Sequence, residues 1–359
     1  MTALAERLKR RIALEGPITI ADYMADCLLH PVHGYYATRD PLGAAGDFTT
    51  APEISQMFGE MIGLALAQVW LDQGRPAPVA LAELGPGRGT LMADILRATG
   101  AVPGFRAAVE VHLVEASPAL RAVQADTLAG AAPVWHDTVD SLPDAPTLVV
   151  ANEFFDALPV RQFQRDGAQW RERVVGLSDG ALALGLAAPT TLPALAAREG
   201  DVPDGGIVEL RPAAAPVMAT LADRVGGLGG AALVVDYGDA PSNGDTFQAV
   251  RGHARADPLA APGAADLTAH VDFAALAQAA RSGGAVAVAG PVPQGAFLER
   301  LGITARANAL LETLEGPARE AHVAAHRRLT HPGEMGSLFK CLALTPRERP
   351  PFPGFPHDP

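Results

Sequence analysis

With 359 residues, 48% of them hydrophobic, the chain can bury a sizeable core, as one large domain with insertions or as two smaller ones. Its net charge of -12 argues against a nucleic-acid partner, which favours a basic surface, and suits a basic segment of a protein partner. Two cysteines, Cys27 and Cys341, exclude a disulfide framework and a four-thiolate zinc site, and no apolar run reaches the roughly 18 to 20 residues of a membrane span.

The N-terminal segment carries Arg7, Lys9, Arg10 and Arg11 in the manner of a transit peptide, but Glu6 and Glu15 count against that reading. It is expected to form an amphipathic helix leading into a cap that contains Tyr23, Tyr35 and Tyr36, and the chain is expected to be cytoplasmic. The apolar run Val79-Ala80-Leu81-Ala82 predicts a buried parallel strand, and residues 88–99 predict the helix after it. Between them lies Glu83-Leu84-Gly85-Pro86-Gly87-Arg88-Gly89-Thr90. Glycines at alternate positions suit a sharp strand-to-helix turn whose backbone approaches a ligand, since a Cβ would fill that space.

The spacing discriminates between ligands. A dinucleotide fingerprint runs G-x-G-x-x-G with an acid roughly 20 residues later. Here the order is G-x-G-x-G, Pro86 sits inside the loop, and the next strand-end acid, Glu115, is further away. The pattern suits S-adenosylmethionine better, because Glu83 can favour the cationic groups of its amino-acid end. An ordinary strand-to-helix turn is the alternative at this point.

The second strand, Val109-Glu110-Val111-His112-Leu113-Val114, ends in Glu115 and runs into Ser117-Pro118, an N-cap with proline at the first helical position. Glu115 is placed to accept both ribose hydroxyls. A short third strand around Val134 ends at Asp137, a candidate for the adenine amino group with Trp135 or His136 near the ring; a solvated loop aspartate is the alternative. The fourth strand, Thr147-Leu148-Val149-Val150-Ala151, delivers Asn152, Glu153, Phe154, Phe155 and Asp156. Ligands of doubly wound sheets sit beyond the carboxyl ends of the strands, so Asn152, Glu153 and Asp156 are expected to face the transferred group. Against this, Asn152 can simply close the strand and Asp156 cap a helix, and the phenylalanines read better as core.

Regular strand-helix alternation then stops. Residues 161–230 suggest an inserted β-rich lobe with a helix over 213–224. The sheet resumes with a fifth strand at Ala231-Ala232-Leu233-Val234-Val235-Asp236, and Ala285-Val286-Ala287-Val288 and Leu338 to Leu344 supply the last two, with a helical insertion over 294–331 between them. The proline-rich tail, 346–359, is expected to be disordered. The ten histidines include His30 with His33 and His322 with His326, but the latter pair lacks the glutamate of H-E-x-x-H and reads as a solvated helix face, so no metal is expected.

Taken together the motifs resemble the MidA family of class I S-adenosylmethionine-dependent methyltransferases, whose mitochondrial members are arginine methyltransferases that assist assembly of respiratory complex I. The matching stretches are HPVHGYY (30–36), GDFTTAPEISQMFGE (46–60), ELGPGRGTLMADILR (83–97), VEASPAL (114–120), ANEFFDALPVRQF (151–163), DYG (236–238), DLTAHVDF (266–273), QGAFLERLGI (294–303) and GEMGSLFK (333–340).

The resemblance implies an α/β, Rossmann-like doubly wound sheet with the inserted lobe and helical insertion. Its expected divisions are a helical cap with the GDFTT loop (1–75), the first half of the cofactor domain (76–160), the lobe (161–230) and the second half of the sheet (231–345). It implies S-adenosylmethionine as cofactor, held by Glu83, Gly85, Gly87, Gly89, Glu115 and Asp137, with Gly46, Asp47 and Thr49 reaching its methionine end. A loop that merely caps the helix near Glu53 is the alternative for the last three. It implies a protein arginine acceptor, oriented first by Glu153 and then by Asn152 and Asp156, since carboxylates match the guanidinium fork. Methylation of a small molecule, and an idle assembly factor that keeps the pocket, stay open as other functions, and the sequence carries no signal for oligomeric state.

Overall fold

A computed structural model describes residues 2–38, 49–196, 198–283 and 285–356. Gly46 and Asp47 lie outside them. The chain divides into two compact units, one made of residues 1–48, 156–214 and 241–272, the other of 49–155, 215–240 and 273–359.

The second unit holds the sheet. Its strands are β1 (Val79–Leu84), β2 (Val109–Val114), β3 (Val134–His136), β4 (Thr147–Asn152), β5 (Gly230–Asp239), β6 (Val286–Pro293) and β7 (Phe339–Pro346). They lie in the order β3-β2-β1-β4-β5-β7-β6. The first five are mutually parallel, and β7 runs antiparallel to both β5 and β6. All six residues of β1 and of β4 are buried, as expected of strands covered on both faces. Helices α1 (Gln56–Asp72), α2 (Thr90–Thr99) and α3 (Pro118–Thr127) belong to this unit, as do the insertion helices α4 (Gln294–Leu301), α5 (Ile303–Leu311) and α6 (Gly316–Thr330). The fold is the expected class I methyltransferase architecture.

Two glycines set how α1 meets α2. A Cβ on Gly59 would stand 2.5 Å from Asp94 Cβ, and one on Gly63 would stand 3.0 Å from Ile95 Cα. One turn of α1 therefore lies nearly against the backbone of the helix that follows the glycine loop. Glu60, between them and buried, accepts from Arg97 and Arg306. Burial pushes its carboxyl pKa up, and the two guanidiniums more than offset that, so the value lies below normal.

The segment from residue 346 to 356 is not a disordered tail. Phe352 and Phe355 are buried against Phe297 of α4, at ring-centroid distances of 6.4 and 5.3 Å. The prolines that suggested disorder do not keep two aromatic side chains of this segment from reaching the core. Nor do His322 and His326 form a merely solvated face: His322 Nε2 bonds to Ala307 O and His326 Nε2 to Thr304 Oγ1, tying α6 to α5.

The other unit is assembled from three stretches of chain. Strand Ile18–Thr19 pairs with Gln169–Ser178, which also pairs with Arg161–Asp166 and Ala181–Thr190. The N-terminal helix Ala3–Glu15 buries Leu4, Leu8 and Ile12 on one face. Tyr23 and Tyr35 are buried in the same core, while the Tyr36 hydroxyl donates to Asp266 at 2.8 Å. The N-terminal helices thus share a core with the inserted lobe, whereas residues 49–75 belong to the sheet unit.

Candidate active site

The order of strands reverses between β1 and β4, which are neighbours, with Leu84 paired to Ala151. In doubly wound sheets such a reversal marks a crevice at the carboxyl ends of the strands, where ligands bind. Within the sheet unit this brings together Glu83, the glycine loop, Asn152 and Glu153.

The loop needs its glycines. Gly85, Gly87 and Gly89 have φ of 63°, 54° and 84°, in the left-handed region that side chains disfavour. A Cβ on Gly85 would also meet the Phe154 ring at 3.1 Å. Helix α2 starts at Thr90, two residues later than expected, because Gly89 in that conformation is its N-cap. Glu83 is buried, its pKa raised well above normal by desolvation and lowered only in part by the Met92 N–H of the first turn of α2. Its Oε2 is buried and has no hydrogen-bond partner among the described residues.

At the end of β2, Glu115 Oε1 accepts from the Ser117 N–H at 2.7 Å and Oε2 from Gln124 Nε2 at 3.2 Å. Burial raises its pKa, against those two donors. Ser117 caps α3 with its hydroxyl, with Pro118 at the first helical position, as the sequence suggests. Asp137, by contrast, is exposed and ion-paired with Arg121, whose guanidinium also donates to the carbonyls of Glu115 and His136. The Trp135 indole donates to Gln124 Oε1. His136 is engaged by His112 on one ring nitrogen and Ser141 on the other.

At the end of β4, Asn152 Nδ2 and the Ala51 N–H both donate to Glu153 Oε1, each at 3.3 Å. Glu153 itself takes a left-handed φ of 52°, unusual for a residue with a side chain, while its N–H holds to Val235 O. Asn152 Oδ1 is buried with no hydrogen-bond partner among the described residues. Phe155 is core, and its N–H is fixed by the buried carboxylate of Asp236. Asp156 belongs to the other unit, where it is buried and its carbonyl accepts from the Ala269 N–H and from Arg211.

Four residues of the site escape the sequence reading. Gln124 and Arg121 organise the end of β2. Asp236 fixes the turn after β4, and Glu53 accepts from the Thr90 hydroxyl at 2.6 Å. With Ala51 bonded to Glu153, the short helix Ala51–Ile54 links the first turn of α2 to the end of β4. Thr49, just before it, is half-buried. Gln124 alone left a signal: a glutamine one turn after Leu120, on the core-facing side of a helix.

These residues fit S-adenosylmethionine. A buried carboxylate oxygen lacking a donor matches an ammonium, a held strand-end carboxylate retains lone pairs for ribose hydroxyls, and three left-handed glycines keep the loop free of side chains. Among the described residues no group of three or more histidine, cysteine, aspartate or glutamate side chains could hold a metal ion, and no helix is long and apolar enough to cross a membrane.

Comparison with known proteins agrees. Residues 61–292 match the family described as "Putative S-adenosyl-L-methionine-dependent methyltransferase". Protein arginine methyltransferase NDUFAF7, mitochondrial, of Danio rerio is 37% identical over 368 residues, covering 95% of this chain and 86% of that protein. Its Homo sapiens counterpart is 38% identical over 377 residues, covering 97% and 85%. A Burkholderia thailandensis protein crystallised bound to S-adenosyl-homocysteine superposes with a TM-score of 0.82 at 31% identity, covering 96% of this chain and 92% of its own. The relatives' names overturn the expected cytoplasmic location, since they are mitochondrial proteins. Charge and hydropathy of a folded body do not encode compartment, so that expectation lacked a physical basis. A strand order that reverses beside a left-handed glycine loop, together with these likenesses over nearly the whole length, places the chain in the family of S-adenosyl-L-methionine-dependent methyltransferases.

Proposed function

We propose that this methyltransferase acts on an arginine in a protein, with a respiratory complex I subunit as first candidate. The observation that carries the reading is the setting of Glu153: a carboxylate at the end of β4, on left-handed backbone, held through one oxygen by Asn152 and the Ala51 N–H. Relatives named protein arginine methyltransferases, 37% and 38% identical, support it.

Bound S-adenosylmethionine supplies an electrophilic methyl group. In this proposal Glu83 faces its ammonium, Glu115 its ribose and Asp137 its adenine, with the backbone of Gly85, Gly87 and Gly89 against the ligand. Gly46, Asp47 and Thr49 reach the methionine end on the strength of the motif alone. Glu153 receives the guanidinium fork, aligns one nitrogen, and stabilises or accepts the proton which that nitrogen sheds as it forms its new bond. Asn152 keeps the carboxylate from turning away. Asp156 retains a second role in orienting the acceptor by its place in the motif.

The test is to incubate the protein with methyl-labelled S-adenosylmethionine and complex I from a strain lacking the gene, then hydrolyse the protein. Label in methylarginine is expected. Glu153→Gln should leave cofactor affinity within about twofold and lower the transfer rate by about 10²- to 10³-fold. Label entering only small molecules would remove the arginine reading, and full activity of the variant would remove the role of Glu153.

A further inference from the structure

Gln124 lies on α3 with no exposed surface, and every polar group of its amide is used. Nε2 donates to Gly87 O at 2.8 Å and to Glu115 Oε2 at 3.2 Å, and Oε1 accepts from Trp135 Nε1 at 2.8 Å. One side chain therefore ties the middle of the glycine loop, the acid at the end of β2 and the middle of β3. The direction of the amide is determined by its partners: two acceptors face the nitrogen and one donor faces the oxygen, so a flipped amide would lose all three bonds.

We infer that Gln124 is a positioning residue for the cofactor, aiming the Glu115 carboxylate at the ribose hydroxyls while holding the Gly87 carbonyl away from the ligand. The inference rests on the reading of Glu115 as the ribose acid. With Oε1 of Glu115 on the Ser117 N–H and Oε2 on Gln124, the carboxylate cannot rotate, and its remaining lone pairs keep a constant direction. Gln124 supplies a side-chain donor to Oε2 of Glu115 and so orients that oxygen. The Gly87 carbonyl, in a loop residue with φ of 54°, is held by the same amide. A residue needed only for packing could be replaced by methionine, which has similar volume and no donors.

The experiment measures affinity by calorimetry for two probes, S-adenosylhomocysteine and its 2′,3′-dideoxy analogue, together with Tm. Wild type should prefer the hydroxylated probe by about tenfold or more, because a charged acceptor bonds both hydroxyls. In Gln124→Met that preference should narrow to about twofold, through weaker binding of S-adenosylhomocysteine and little change for the analogue. A merely structural role would weaken both probes equally and leave the ratio unchanged, which would overturn the inference. If Gln124→Met does not fold, Trp135→Phe serves, since it removes the donor that fixes the amide; a ratio equal to wild type would again overturn it. No preference in wild type would instead sink the reading of Glu115, a result distinguishable from failure at Gln124.

Discussion

At the scale of residues, the site is a set of polar groups whose directions are settled by neighbours. Glu115 illustrates how strongly. Its two oxygens are held by Ser117 and Gln124, and its pKa is raised by burial. Glu115→Ala removes a charge-assisted acceptor pair and is expected to weaken S-adenosylmethionine binding by about 1.5 to 3 kcal/mol, whereas Glu115→Gln, which keeps part of the geometry, should cost less. Titration calorimetry of both variants decides; two affinities equal to wild type would leave Glu115 as a cap on α3. The sequence showed Glu115, Glu83 and the glycines because each stands at a strand end or in a turn whose chemistry is local. Gln124 showed only as a glutamine on the core-facing side of a helix, and its role did not, because its three partners are 37, 9 and 11 residues away.

At the scale of elements, the glycine loop depends on helix packing. Gly59 and Gly63 let α1 lie against α2, so that α2 begins where Gly89 leaves it, with Thr90 bonded to Glu53. A valine at position 59 would drive its side chain into Asp94, only 2.5 Å from where the first carbon stands. Overpacking of this kind costs about 1 to 3 kcal/mol, and α2 must shift to relieve it. Gly59→Val is therefore expected to lower stability by that amount in urea titration and to weaken cofactor binding as well, whereas unchanged stability would mean the helices are not in close contact. The strands of the sheet were legible as apolar runs, each near its observed place. The start of α2, in contrast, was expected two residues early, because a run of helix-forming residues does not reveal that Gly89 takes a left-handed φ.

At the scale of the whole molecule, buried titratable groups shape the dependence of stability on pH. His112 faces His136, Glu110 and Arg224, and His136 also faces Arg121 and Asp137. Burial first, and neighbouring positive charge second, hold both histidines below their normal value. The folded state thus keeps them neutral while the unfolded chain takes up protons near pH 6.5, so stability falls as pH drops below about 6.5. Glu83 and Glu115 act in the opposite sense: their raised values favour the protonated folded form, and their contribution is lost as pH rises above about 4.5. The two slopes overlap, so the measurement is a difference. His112→Gln should flatten the loss of stability between about pH 6.5 and 5 relative to wild type, followed by denaturant midpoints, and an identical slope would show that the histidine pair does not titrate differently on folding.

Local chemistry made the cofactor half of this protein legible: alternate glycines after a buried strand, an acid at each strand end, and Ser117-Pro118 at a helix start are determined by neighbours a few residues apart. The region proposed to take the acceptor was legible only as the motif around Glu153, since nothing local dictates its left-handed backbone or the Ala51 N–H on its carboxylate. Which stretches share a core was decided by the tertiary structure alone. Strand Ile18–Thr19 joins Gln169–Ser178 across some 150 residues of chain, and Phe352 reaches Phe297 across more than 50, because burying apolar area rewards contacts without regard to sequence separation. Periodicity records which face of an element is apolar; it does not record which other face will cover it.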